Sequence, residues 1–201
     1  RGSRSVVKRD VVRLVTPGTL TEDALLEARE HNFLAAFAKL RGDYAFAWVD
    51  ISTGGLWVEK ISLVSLGPEI ARLRPSELIV PENQVEEISE IIQNTECSLT
   101  PLGPATFDST SGETRLKDHF QVQTLEAFAN FERVEIAALG AIVDYLDITQ
   151  KGKLPFLQIP IQQSTLQIMQ IDAATRRNLE ITQALSGGRK GTLLSTIDKT
   201  V

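Results

Sequence analysis

From Asp43 to Ile51 the chain alternates aromatic positions (Tyr44, Phe46, Trp48) with small or β-branched ones (Ala45, Ala47, Val49, Ile51). Both sets are apolar, so the spacing predicts a strand covered on both faces. Gly54-Gly55 supplies a turn, and Leu56 to Ile61 returns as a second strand antiparallel to the first. Asn32 to Leu40 fits either of two readings. Its alanines favour helix, while its length and the Arg41-Gly42 turn favour a third strand of a meander, which is the reading adopted. The rhythm then changes to helix alternating with strand. Ser65 to Leu73 reads as a helix with Pro68 in its first turn, Glu77 to Val80 as a buried strand closed by Pro81, and Ser98 to Leu102 as a fifth strand. Between the last two, Asn83 caps a helix with Val85, Ile88, Ile91 and Ile92 on one side and Glu86, Glu87 and Glu90 on the other. The expected architecture is α/β, a mixed sheet of about five strands with helices on its faces.

The strongest helical pattern runs from Val134 to Thr149. Val134, Ala137, Ala138, Ala141, Ile142, Tyr145 and Leu146 form one apolar stripe, and Ile136, Leu139 and Val143 form a second. A helix apolar on nearly every side lies between two layers, here the sheet and another domain or a partner. Lys151 to Pro155 then reads as a linker, with a domain boundary near residue 152. A β-rich run continues to Ile168. Asp172 caps a helix over Ala173 to Leu185, stopped by Gly187-Gly188. At the other end, Val6 to Val15 reads as a strand, Thr16-Pro17-Gly18-Thr19 as a turn, and Thr21-Glu22-Asp23 as the start of a short helix. Arg1 to Ser5 resembles vector residue, and both ends read as cut, so the chain is taken as a fragment.

Composition adds little until it is divided. The 201 residues are 42% apolar and 23% charged, with a net charge of −5, as expected of a folded globular chain. No run of some 18 uncharged apolar residues spans a membrane, no secretory leader opens the sequence, and the single cysteine, Cys97, suits a reducing cytoplasm. By segment, residues 1–13 carry +4, residues 14–171 carry −11 and residues 172–201 carry +2. So acidic a body repels a phosphate backbone, which points to a protein partner.

Gly187 to Thr192 holds glycines, a lysine and a threonine, but Lys190 precedes Gly191 where a phosphate loop needs the lysine after the second glycine, so it reads as an exposed loop. Asp50, Asp108, Asp144 and Asp147 could converge on a divalent metal, although Asp144 and Asp147 fit equally well as an exposed stripe of their helix. Cys97 reads as a small buried apolar residue, and His31 and His119 are too isolated for a metal pair. No catalytic, metal-ligating or cofactor-binding residue is assigned.

Two stretches carry a resemblance. Val11-Val12-Arg13-Leu14-Val15-Thr16-Pro17-Gly18-Thr19 and Asp172-Ala173-Ala174-Thr175-Arg176-Arg177-Asn178-Leu179-Glu180-Ile181 closely resemble signatures of the bacterial MutS mismatch-repair proteins, as does Asp50-Ile51-Ser52-Thr53-Gly54 between them. The resemblance implies a division into 6–27 (exit strand and linker from the mismatch-binding domain), 28–150 (a ribonuclease H-like connector domain), 151–171 (linker and β-rich segment) and 172–201 (start of the helical core). It further implies a bacterial, cytoplasmic DNA repair protein. In its full-length form it would be a homodimeric, DNA-dependent ATPase using ATP and Mg²⁺, with MutL as partner. The mismatch-wedging segment would lie upstream and the ATPase loops downstream, so mismatched DNA would be reached only through other domains, with no cofactor and no catalysis in this stretch. A domain tied near Thr16–Gly18 and Lys151–Pro155 could turn as a rigid body.

For a MutL-docking surface the segment after the fifth strand is the candidate. Ser109 to Gly112 reads as a turn-rich loop. Asp108, Glu113, Thr114, Arg115, Lys117 and Asp118 are its polar residues, on a short helix anchored by Leu116 and Phe120. Two other classes stay open, a ribonuclease H-like metal-dependent nuclease or resolvase centred on Asp50, and a purely structural spacer.

Overall fold

Small and large side chains are segregated onto opposite faces of one sheet, and this decides where the helices sit. The computed structural model describes residues 14–19, 32–93, 95–150, 156–163, 171–188 and 190–197. Strand β1 (Phe33–Leu40) pairs antiparallel with β2 (Asp43–Asp50), and β2 with β3 (Leu56–Ile61). Helix α1 (Leu63–Leu73) leads to β4 (Glu77–Pro81), which lies parallel to β1, and α2 (Val85–Ile92) leads to β5 (Ser98–Leu102), parallel to β4. Then follow α3 (Ser109–Phe120), α4 (Arg133–Gln150), the short strand β6 (Ile161–Gln163), and two short helices, α5 (Ala173–Asn178) and α6 (Leu193–Ile197).

The sheet order is β5-β4-β1-β2-β3-β6. It has six strands, not about five, because residues 161–163 pair parallel with Trp57–Glu59 at the edge of β3. One face of the central strands carries Ala36, Ala38, Ala45, Ala47 and Val49, all buried, and α4 packs on it. The opposite face carries Phe37, Phe46, Trp48 and half-buried Tyr44 and Trp57, under α1 and α2. The alanines that made β1 ambiguous are thus explained. Alanines on the strands opposite Ala137, Ala138 and Ala141 let α4 lie close to the sheet, and that packing outweighs a local helix propensity of a few tenths of a kcal/mol.

The second layer over α4 is α3 of the same domain, where another domain or a partner was expected. The two helices meet at glycines. A Cβ on Gly140 would stand 2.4 Å from the Gly112 Cα, and one on Gly112 would stand 2.9 Å from the Ile136 carbonyl oxygen. Gly112 therefore belongs to the first turn of α3, and Ser109 to Gly112 is helix, not a turn-rich loop.

Other boundaries differ from the expected ones for local reasons. Helix α1 begins at Leu63, because the Ser62 side chain accepts from the Ser65 amide. Asn83 lies inside a 3-10 turn, Glu82–Gln84, and Gln84 rather than Asn83 precedes α2. Asp172 does cap α5, accepting from the Thr175 amide, but α5 ends at Asn178 instead of continuing to Leu185, with Glu180 in the left-handed region at φ 46°. Gly187-Gly188 consequently caps no helix. Of the expected strand over Val6–Val15, Leu14 and Val15 are not in a strand and residues 6–13 lie outside the described residues, as do the helix at Thr21-Glu22-Asp23, the linker Lys151–Pro155, His31 and the run 164–168. No helix among the described residues is long and apolar enough to cross a membrane.

Candidate partner-docking face

Helix α3 is built to present its polar side. The Asp108 Oδ2 accepts from the Ser111 amide at 2.7 Å and starts the helix, while Gln121, at φ 55°, ends it. That amide bond holds the Asp108 carboxyl below the usual carboxylate range. Leu116 is fully buried against α4 and Phe120 packs beside it, as the helical spacing required.

The six candidate residues divide into two groups. Glu113 pairs with Lys117 at 2.6 Å and with Arg133 of α4 at 3.0 Å; its carboxyl is held low first by the Lys117 hydrogen bond and then by the two positive charges. This is a surface ladder with its charges mutually satisfied, of the kind that contributes little to stability. Arg115 reaches the other way. Its Nε lies 3.2 Å from the Asp144 Oδ1, and a terminal nitrogen donates to the Thr106 carbonyl at 3.3 Å. Together with Asp118, His119, Val143, Asp144 and Asp147 it lines an open cleft of about 310 Å³ between α3 and α4. Among the described residues neither Asp118 nor Asp147 makes an ion pair, and burial pushes the His119 imidazole below its ordinary value. Asp108 and Thr114 stay at the start and outer side of α3, Thr114 Oγ1 donating to the Thr110 carbonyl.

His119, Val143, Asp144 and Asp147 were not placed on this face by sequence. The signal was the i, i+3 pair of acids on an otherwise apolar α4. Asp147 is exposed, as the stripe reading of that pair required.

The remaining candidates resolve locally. Asp50 is buried at the last position of β2 and accepts from the Ser52 amide at 3.0 Å and the Ser52 hydroxyl at 2.5 Å in the turn that follows. Among the described residues no three His, Cys, Asp or Glu side chains gather as metal ligands. Cys97 is half-buried rather than fully buried, and burial pushes its thiol up to about 12, far from a reactive thiolate.

Comparison with known proteins fits this geometry. The family model described as MutS domain II matches residues 32–158. The chain is 59% identical along its whole length to the DNA mismatch repair protein MutS of Ruegeria sp. (strain TM1040), covering 23% of that protein. It is 60% identical to the protein of the same name from Cereibacter sphaeroides (strain ATCC 17023), and 55% identical to that from Paracoccus denitrificans (strain Pd 1222), again along its whole length and over 23% of each. The chain thus spans under a quarter of the curated relatives it matches. With six strands in mixed order, helices on both faces and a domain II match over most of its length, the chain belongs to the MutS family, and its α/β domain is the family's ribonuclease H-like connector.

Proposed function

We propose that this chain joins mismatch recognition to the ATPase core of a MutS-type protein and offers MutL a docking surface on α3 and the adjoining edge of α4. In this reading residues 28–150 are the connector and 172–201 begin the helical core. ATP, Mg²⁺ and mismatched DNA are held by other parts of a homodimeric, cytoplasmic protein. The observation that carries it is the exposed polar side of α3, fixed to α4 by the Gly112–Gly140 contact and flanked by a cleft with two carboxylates that make no ion pair among the described residues. A net charge of −11 over residues 14–171 would steer a basic partner surface, acting mainly on the association rate and its salt dependence.

The test is to replace Asp118 and Asp147 with lysine in the full-length protein and measure MutL recruitment to the mismatch-bound form. Recruitment is expected to fall at least tenfold, equivalent to about 1.4 kcal/mol, with the thermal transition changed by only a few degrees because both charges are partly solvated. Unchanged recruitment by a folded variant would remove this surface and leave the spacer reading. The nuclease reading has no observation in its favour.

A further inference from the structure

Glu77 opens β4 and is buried, yet it accepts four hydrogen bonds from three different parts of the chain. Thr16 Oγ1 donates to Oε2 at 2.6 Å and the Gly18 amide donates to the same oxygen at 3.0 Å. Thr100 Oγ1 of β5 and the Tyr145 hydroxyl of α4 donate to Oε1 at 2.6 and 2.7 Å. Burial, and secondarily Glu77 itself, push the Tyr145 phenol up to about 12, so Tyr145 serves as a donor throughout the ordinary pH range.

The incoming segment is fastened at further points. The Leu14 amide donates to the Thr149 carbonyl of α4 at 2.8 Å, Asn32 Nδ2 reaches the Pro17 carbonyl at 3.4 Å, and Gly18 and Thr19 are buried. The fit at Gly18 leaves no space. A Cβ there would lie 2.7 Å from the Glu77 Cβ and 3.0 Å from the Leu34 Cδ1. A Thr-Pro-Gly-Thr sequence ordinarily marks a loose connection. Here it is seated in the sheet's own hydrogen-bond network.

We propose that Glu77 is a latch that makes residues 14–19 part of the connector's rigid body, so that the Thr16–Gly18 turn moves with the domain instead of serving as its pivot. Strain or motion arriving along the incoming segment is then delivered to β4, β5 and the last turns of α4. That part of α4 also carries Asp144, which holds Arg115 of α3, so the latch and the cleft share one stretch of helix.

Two variants loosen the latch without removing Glu77. Gly18→Ala cannot seat, and Thr16→Val deletes the hydroxyl that donates to Glu77 while replacing no residue of the sheet. Amide hydrogen exchange is measured on the full-length protein. In the wild type the amides of Leu14 and Gly18 are expected to exchange at least tenfold more slowly than an open turn. Gly18→Ala should abolish that protection at positions 14 and 18, and Thr16→Val should reduce it at least threefold, while β1 and β4 amides stay protected in both. The proposal is overturned if wild-type Leu14 and Gly18 exchange at open-chain rates, or if both variants leave their protection intact. It also fails if the sheet loses protection along with the segment in Thr16→Val, since the latch would then not be a separable element.

Discussion

Replacing Gly140 with alanine is expected to destabilise the domain by about 2 kcal/mol and to displace α3, although alanine is the better helix former. The helical preference of alanine over glycine is worth about 1 kcal/mol in favour of the variant. Against it stands a Cβ placed 2.4 Å from the Gly112 Cα and 3.2 Å from the Gly112 carbonyl carbon. Overpacked cores ordinarily lose 1 to 3 kcal/mol by shifting side chains. Here the obstacle is backbone, so no rotamer change relieves it and one helix must back away from the other. The exposed polar residues of α3 ride on that helix, so under the docking role proposed for it MutL recruitment should fall as well, by tenfold or more, even where the variant remains folded. Gly103→Ala is the matched control, because a Cβ there meets nothing within 4 Å. Calorimetric unfolding and recruitment measured for both variants decide the matter; equal behaviour would mean that the glycine contact does not position α3.

This contact illustrates what the sequence could and could not convey. The alternation of Tyr44, Phe46 and Trp48 with Ala45, Ala47 and Val49 is a local signal, and it placed a central strand correctly. The burial of α4 was likewise visible in its two apolar stripes. Ser109-Thr110-Ser111-Gly112 has the composition of a loop, because serine, threonine and glycine favour turns by local hydrogen bonding and backbone freedom. What makes it helical is Asp108 at the cap and a partner glycine 28 positions later, a pairing that spacing alone does not announce. Strand β6 escaped for a similar reason. Ile161 and Gln162 are exposed, only three residues pair, and the partner, β3, lies a hundred residues earlier. The candidate docking residues are legible as a polar helix, but the separation of Glu113 and Lys117 from Arg115 and Asp118 depends on where Arg133 and Asp144 of α4 stand. Glu77 was legible only as the start of a buried strand. Its four donors come from residues 16, 18, 100 and 145.

A second buried carboxyl should make the domain less stable as pH rises through neutrality. Glu59 of β3 is fully buried, and neither carboxyl oxygen has a hydrogen-bond donor among the described residues. It faces Glu69 of α1, which is itself bonded to the Arg72 Nε at 2.6 Å, and Arg72 lies over the Trp48 ring. Its cross-strand neighbours on the sheet are Phe46 and Gln163. Two carboxyls that approach without a donor between them hold together when one keeps its proton. Burial, and then the Glu69 charge, push Glu59 up to about 7 from 4.5, with Arg72 opposing. The folded state therefore binds this proton more tightly than the unfolded chain does. Its contribution is complete below about pH 4.5 and is lost as pH climbs through 7, a change of up to about 3 kcal/mol at 1.36 kcal/mol per unit. Glu59→Gln keeps the shape and supplies a permanent donor to Glu69, so it should flatten this part of the profile and be the more stable form at pH 8. Glu135 of α4, also pushed upward by burial, contributes in the same direction to both proteins and cancels in the comparison. Urea unfolding of wild type and Glu59→Gln at pH 5, 6, 7 and 8 measures the difference, and parallel profiles across that range would show that Glu59 carries no proton of its own in the folded domain.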